Sequence, residues 1–335
     1  MPVRSALLAV LVTIAVAATV FVIAGGRAAD EPSPSRLAHA TVGSPIDVGV
    51  NPIAVTVGAG AVWVIDATDQ TLSKIDPRTR TVVGKPRRVA GGPFAVAVGA
   101  GFVWVAAGDG AVRAYDPRSV RPAGPTARVP GANGLAVGAG GVWVSSRRAG
   151  TVTRVDPRTR RADPPIRVGR GPADIAVGQG AVWVANADGG SVSAIDPRDG
   201  RAGAPIPVGA RQVLAVTVGE GGVWVVRAGG PDADRTQLVR IDPEAGKIAG
   251  NPIRVAGAVG LDLVAGNGLW VTDSGGAFEP DPGAVTRVDP ATRTVAGPPI
   301  RVGRRPSAIA LGEGGLWITN EDDGTLTPIT LTSAR

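Results

Sequence analysis

Seven tryptophans, Trp63, Trp104, Trp143, Trp183, Trp224, Trp270 and Trp317, recur along the 335-residue chain at spacings of 41, 39, 40, 41, 46 and 47. Other landmarks keep the same step. Pro45, Pro86, Pro125, Pro165, Pro205, Pro252 and Pro299 stand 18 or 19 residues before them, and an Asp-Pro pair follows at Asp76, Asp116, Asp156, Asp196, Asp242 and Asp289. A repeat of this length, holding four short strands, predicts the blade of a β-propeller, so the chain is expected to be all-β with seven four-stranded blades. Glycine and proline, 49 and 29 residues, fit a chain of many turns, and an apolar content of 44% argues against disorder.

The fourth unit is the cleanest copy. Asp174 to Gly178, Ala181 to Asn186, Ser191 to Asp196 and Pro205 to Gly209 read as its strands, valine and isoleucine alternating with small or polar residues. Gly178-Gln179-Gly180 tolerates positive φ, and Asp196-Pro197 suits a turn whose carboxylate accepts local backbone hydrogens, so the Asp-Pro carboxylates are read as structural. The seventh unit has Ile329-Thr330 where the others have Asp-Pro, and the chain begins its folded part with a lone fourth strand at Pro45 to Gly49. Joining that strand to the last unit would complete the seventh blade and remove two open edges.

Residues 5–26 carry no charge and are long enough to cross a bilayer as a helix. They are expected to be a transmembrane anchor or a signal segment, with residues 1–4 as a cytoplasmic tip, 27–44 as a flexible tether and 45–335 as the propeller. Gly26 and Ala28 would be the small residues before a cleavage point in the signal reading. Arg4 before the span places the remainder outside the cytoplasm, at the cell membrane, or secreted if the segment is cleaved.

The repeat Val182-Trp183-Val184-Ala185-Asn186, followed by Gly190-Ser191-Val192-Ser193-Ala194-Ile195-Asp196 and Pro205-Ile206-Pro207-Val208-Gly209, resembles the bacterial YVTN-family β-propeller repeat, with tryptophan in place of its usual tyrosine. The resemblance covers 45–335 and implies an exported or surface-located propeller. The chain also looks like the virginiamycin B lyase group, whose catalysis needs histidine and a metal-linked glutamate. Here the single histidine, His39, lies in the tether, which counts against a lyase. Quinone-cofactor propellers share the architecture, but their docking motif is absent.

The absence of cysteine excludes disulfides, thiolate metal sites and a cysteine nucleophile. The net charge of +7 rests on 35 bases, 32 of them arginine. By strand order the surplus falls on the outer strands as a rim that includes Arg87, Arg88, Arg128, Arg167, Arg254 and Arg301, whereas the top face, formed by the loops between strands four and one and between strands two and three, is net acidic despite Arg147, Arg148, Arg170, Arg211, Arg227, Arg235, Arg304 and Arg305. Such a distribution, without interleaved aromatics, does not fit nucleic acid. The expected function is a non-catalytic binding or scaffold module, monomeric, taking a protein, peptide or cell-envelope ligand at the top. The alternative is a metal-assisted lyase or hydrolase at the channel mouth. Candidate contacts are Asp232 and Asp234 of blade five, Asp262, Asp273, Glu279 and Asp281 of blade six, and Glu321, Asp322 and Asp323 of blade seven. At the channel mouth the candidates are Asn51, Asn133, Asp174, Asn186 and Asn320. No cofactor is expected; calcium is compatible with the clustered acids, although no calcium-loop spacing is present. Asp262 breaks a pattern of aliphatic residues eight before each tryptophan, which predicts a local slip in register or exposure to solvent.

Overall fold

The structure is a computed structural model that describes residues 37–210, 212–228, 236–255, 260–274 and 282–333. The span 5–26, expected to be an anchor or signal, lies outside the described residues. Seven antiparallel sheets stand around a ring. Their inner strands are Pro52–Gly58, Pro93–Gly99, Ala132–Gly138, Pro172–Gly178, Gln212–Gly219, Gly260–Ala265 and Pro306–Gly312. Each packs on the next, and the seventh packs on the first. The protein is an all-β, seven-bladed propeller.

All seven tryptophans are buried in the second strands. The indole N–H groups of Trp63, Trp104, Trp143, Trp183 and Trp317 each donate to a glycine carbonyl five residues earlier, at 3.0 to 3.2 Å. Each ring therefore satisfies its own polar handle on the hairpin that delivers it. These hairpins turn through pairs such as Gln179-Gly180 and Ala139-Gly140, both residues having positive φ, as two-residue hairpin turns require. Between blades, the glycine ending the inner strand receives a valine of the next blade at Gly58, Gly99, Gly138, Gly178 and Gly312. A Cβ on Gly99 would stand 2.5 Å from Cγ1 of Val137, and one on Gly312 would stand 2.6 Å from Cγ1 of Val57 across the closure.

The outer strand is split rather than continuous. In blade four Arg201–Ala202 pairs with the end of the third strand and Ile206–Pro207 with its start, so the expected strand at Pro205 to Gly209 is only the second piece. The Asp-Pro turn delivers the first piece. Blade seven lacks that turn, so its third strand runs on as Thr325–Ser333 and its outer edge comes from the other end of the chain. Ile46–Asp47 pairs with Thr325 and Leu326, as the lone fourth strand was expected to do. The segment expected as flexible tether is shortened: Leu37–Val42 is a strand paired antiparallel with residues 329–333. The backbone amides left free at Ile329 to Ser333 by the missing turn provide the physical reason. The pairing places Leu37 beside Ser333 on the bottom face.

Candidate functional site

The residue three after each tryptophan, at or next to the end of the second strand, lies under the top face. These residues are Asp66, Ala107, Ser146, Asn186, Arg227, Asp273 and Asn320, all buried except the half-buried Asp273. Asp66 accepts main-chain hydrogens from Asn51 and Asp69, each at 2.6 Å, and so ties the chain entering blade one to its hairpin. Asn186 donates through Nδ2 to Ser191 and Ser193 at 3.2 and 3.0 Å, and Asn320 to Thr325 and Thr327 at 3.0 and 2.8 Å. Two of the channel-mouth candidates thus hold hydroxyls of their own blade, while Asn51 enters through its backbone. Arg227 is buried beside Gln237, and burial pulls its guanidinium below the ordinary arginine value. Asp66 escaped the sequence reading and Arg227 entered it only as a top-face charge, although polar residues at this step of nearly every repeat were the available signal.

Asp174 and Asp262 occupy one structural position in alternate blades. Leu263 pairs with Val271, the residue after Trp270, just as Ile175 pairs with Val184 after Trp183. The slip expected at Asp262 is therefore present, and the Trp270 indole correspondingly reaches Gly266, four residues back rather than five. Solvent exposure is not: Asp262 is 3% exposed and Asp174 2%. Asp174 accepts the Ile175 N–H on one oxygen and the Val216 N–H of blade five on the other, both at 2.8 Å. Asp262 accepts the Leu263 N–H at 2.7 Å and the Ile309 N–H of blade seven at 3.0 Å. Each carboxyl thereby pins its inner strand to the next blade. Burial pushes Asp262 up to about 7. Asp174 is raised well above the usual carboxylate value by burial and then by the charge of Asp262. Asn133 makes a comparable crossing, donating to the Ala173 carbonyl of blade four at 3.2 Å.

The acidic sector is divided. Asp232, Asp234, Glu279 and Asp281 lie outside the described residues. Asp273 is half-buried at the end of its strand, and Asp262 faces backbone amides instead of a ligand surface. In blade seven the acids meet arginines. Asp323 accepts from Arg304 Nε at 2.6 Å, Glu321 pairs with Arg305 Nε at 3.3 Å, and Asp322 lies 3.7 Å from Arg305 Nη1. Burial raises Glu321, and the Arg305 charge opposes that rise. Among the described residues no three His, Cys, Asp or Glu side chains gather as a metal-binding group.

The class defined by this geometry is a seven-bladed propeller whose mouth polar groups are largely engaged in holding the blades together. Among solved structures, the chain is similar to selenomethionine-substituted virginiamycin B lyase from Staphylococcus aureus, at 15% identity and a TM-score of 0.73, covering 88% of this chain and 100% of that one. It is also similar to a streptogramin B lyase, at 14% identity and a TM-score of 0.71, covering 88% and 98%. Hydrazine synthase of Kuenenia stuttgartiensis gives 14% identity and a TM-score of 0.72, covering 85% and 96%. At such identities the likeness is one of fold. No protein-family model matches the sequence, and no curated protein matches it.

Proposed function

We propose that this chain is an exported, membrane-anchored propeller of the YVTN kind that serves as a non-catalytic binding or scaffold module. The observation that carries the reading is the occupation of both oxygens of Asp174 and of Asp262 by main-chain amides. A lyase or hydrolase at the channel mouth would need carboxyl groups facing substrate or metal, and here the two innermost ones serve as bolts between blades. The one histidine, His39, belongs to the outer strand of blade seven, far in topology from the inner strands. A catalytically inactive histidine-to-alanine variant of the S. aureus virginiamycin B lyase, solved with quinupristin, has the same fold at 15% identity. The histidine on which that enzyme depends has no counterpart in the inner strands of this chain.

The ligand is a protein, peptide or cell-envelope component received on the top face, to which strand order in the sequence assigns the insertions of blades five and six with Asp232, Asp234, Glu279 and Asp281. Orientation supports that side. The chain enters at Leu37 on the bottom face, so the ten residues 27–36 would keep that face within about 35 Å of an anchor at 5–26 even when fully extended. The cysteine-free sequence permits a direct test with single cysteines at Thr68 on the top and Arg78 on the bottom of blade one. A membrane-impermeant maleimide on intact cells should label Thr68→Cys faster. Equal labelling would remove the orientation, and labelling only after lysis would remove the export. Stoichiometric metal retained through purification would favour the lyase or hydrolase reading instead.

A further inference from the structure

Among the described residues, the top face reverses its acidic pattern at blade three. In four blades an aspartate at the hairpin between strands two and three leans on a glycine of the connection entering the same blade. A Cβ on Gly91 would stand 2.4 Å from the Asp109 carboxyl carbon, and one on Gly171 would meet Asp188 at 2.2 Å. Similarly, Gly303 faces Asp323 and Gly49 faces Asp69, at 2.7 and 3.1 Å. Blade three does this differently. The Ser146 hydroxyl lies against Gly131 and donates to the Pro130 carbonyl at 2.8 Å, which relieves the hairpin tip of the acid's role. The tip residues are Arg147 and Arg148.

Beside them is a cleft of about 480 Å³ between blades three and four, lined by Arg147, Arg148, Arg167, Arg170 and the single acid Asp188. Arg147 is fixed by Asp188, with Nη2 at 2.7 Å and Nε at 3.4 Å from its two oxygens. Arg148, Arg167 and Arg170 are exposed and belong to none of the ion pairs formed among the described residues. Blade seven is the internal contrast, since its adjacent Arg304 and Arg305 are met by Asp323, Glu321 and Asp322. The cleft between blades three and four therefore holds an excess of three guanidinium charges, within a volume suited to a small ligand.

We propose that this cleft is a binding site for a ligand bearing two or more neighbouring phosphoryl groups. Guanidinium groups present paired donors that match phosphate oxygens, and several converging on one concavity select a multivalent anion over a lone one. Asp188 keeps Arg147 in position rather than cancelling the site. No aromatic side chain lines the cleft, so the stacking platform of a single-stranded nucleic-acid channel is missing. The site lies on the face turned away from the chain's entry, which favours a soluble or chain-borne phosphate over the headgroups of the membrane to which the protein is tethered. The proposal deepens the binding role given above by naming a ligand class.

The test uses the full chain in detergent micelles, with inorganic tripolyphosphate as the probe followed by calorimetry, so its outcome does not depend on orientation in the membrane. Saturable binding is expected, weakened about tenfold or more in Arg148→Ala/Arg170→Ala and unchanged in Arg78→Ala/Arg158→Ala, which removes the same charge from the bottom face. Thermal melts of both variants establish folding. The absence of saturable binding, equal weakening in the two variants, or equal competition by sulfate at matched ionic strength would overturn the site. Binding to phosphatidylglycerol vesicles without binding to tripolyphosphate would overturn it in favour of a lipid surface. Failure here leaves the maleimide test of export standing, and failure of that test leaves this one standing.

Discussion

Asp174 and Asp262 show how one residue type serves two purposes at one position. Each satisfies an amide of its own strand and one of the next blade, yet burial holds both above the ordinary carboxylate value of 3.8. The folded protein therefore keeps protons that the unfolded chain has already released once the pH exceeds about 4. The contribution of these groups to stability is greatest below that value and declines as pH rises through about 7 for Asp262. Thermal unfolding between pH 5 and pH 8 should show this decline, and Asp174→Asn/Asp262→Asn should flatten it; an unaltered slope would exclude these carboxyls as its source. The hairpin residues offer a gain instead. Ala59, Ala100 and Ala139 sit at φ of 54°, 50° and 47°, a region that alanine occupies at a cost of roughly 1 kcal/mol. Ala139→Asn should accordingly raise stability by about 0.5–1 kcal/mol in denaturant titration, since asparagine tolerates this conformation and position 139 is exposed.

At the scale of the strand, the arginine-rich composition acquires a purpose that charge counting did not show. The third-strand residue opposite the tryptophan is Lys74, Arg154, Arg240 or Arg287 in four blades. Lys74 lies 5.5 Å from the Trp63 ring and Arg287 5.7 Å from that of Trp270. Blade two has Ala114 at that step, and Arg160 of blade three takes over, its guanidinium 4.3 Å from the Phe102 ring and 4.5 Å from that of Trp104. Burial lowers the Arg160 value, as expected for a cation held against rings. Arg160→Ala should cost about 1–3 kcal/mol, through the lost ring contacts and the packing of its stem. A loss below 0.5 kcal/mol in a urea titration would mean that the stacking is incidental. Gly99→Ala tests the inner ring: the added methyl meets a β-branched valine with little freedom to move, and an overpacking cost of about 1–3 kcal/mol is expected.

For the whole molecule, closure is the element on which the ring depends. The seventh blade borrows both pieces of its outer strand from the beginning of the chain, five residues of Leu37–Val42 finding partners along Thr325–Ser333. Starting the chain at Gly43 would leave the lower part of that edge unpaired. Such a chain should melt at a lower temperature than one starting at Leu37 and should self-associate through the exposed edge on size-exclusion chromatography. Equal melting and a monomeric profile would show that Ile46–Asp47 closes the ring unaided.

The number of blades, the split between tryptophan strand and Asp-Pro turn, and the borrowed strand at Ile46 could be read from the sequence, because a repeat writes its spacing directly into residue numbers. The turn carboxylates could be read too: Asp76, Asp116, Asp156 and Asp242 are held below the usual range by the backbone amides that follow them, a local interaction. Strand formation at Leu37 could not, since its partner lies almost 300 residues away and the short alternation Ala38-His39-Ala40-Thr41-Val42 falls outside the tryptophan, proline and Asp-Pro landmarks of the repeat. At Asp262 the slip in register was legible, in the acid that breaks the aliphatic pattern, but its burial beside Ile309 follows from the ring that brings blade seven against blade six. The arginines at 147, 148, 167 and 170 were assigned to a net acidic face or to the rim, and only the packing of blade three on blade four gathers them. Local hydrogen bonding and periodicity are properties of the chain taken in order, whereas the fate of a buried charge depends on what the closed ring sets beside it.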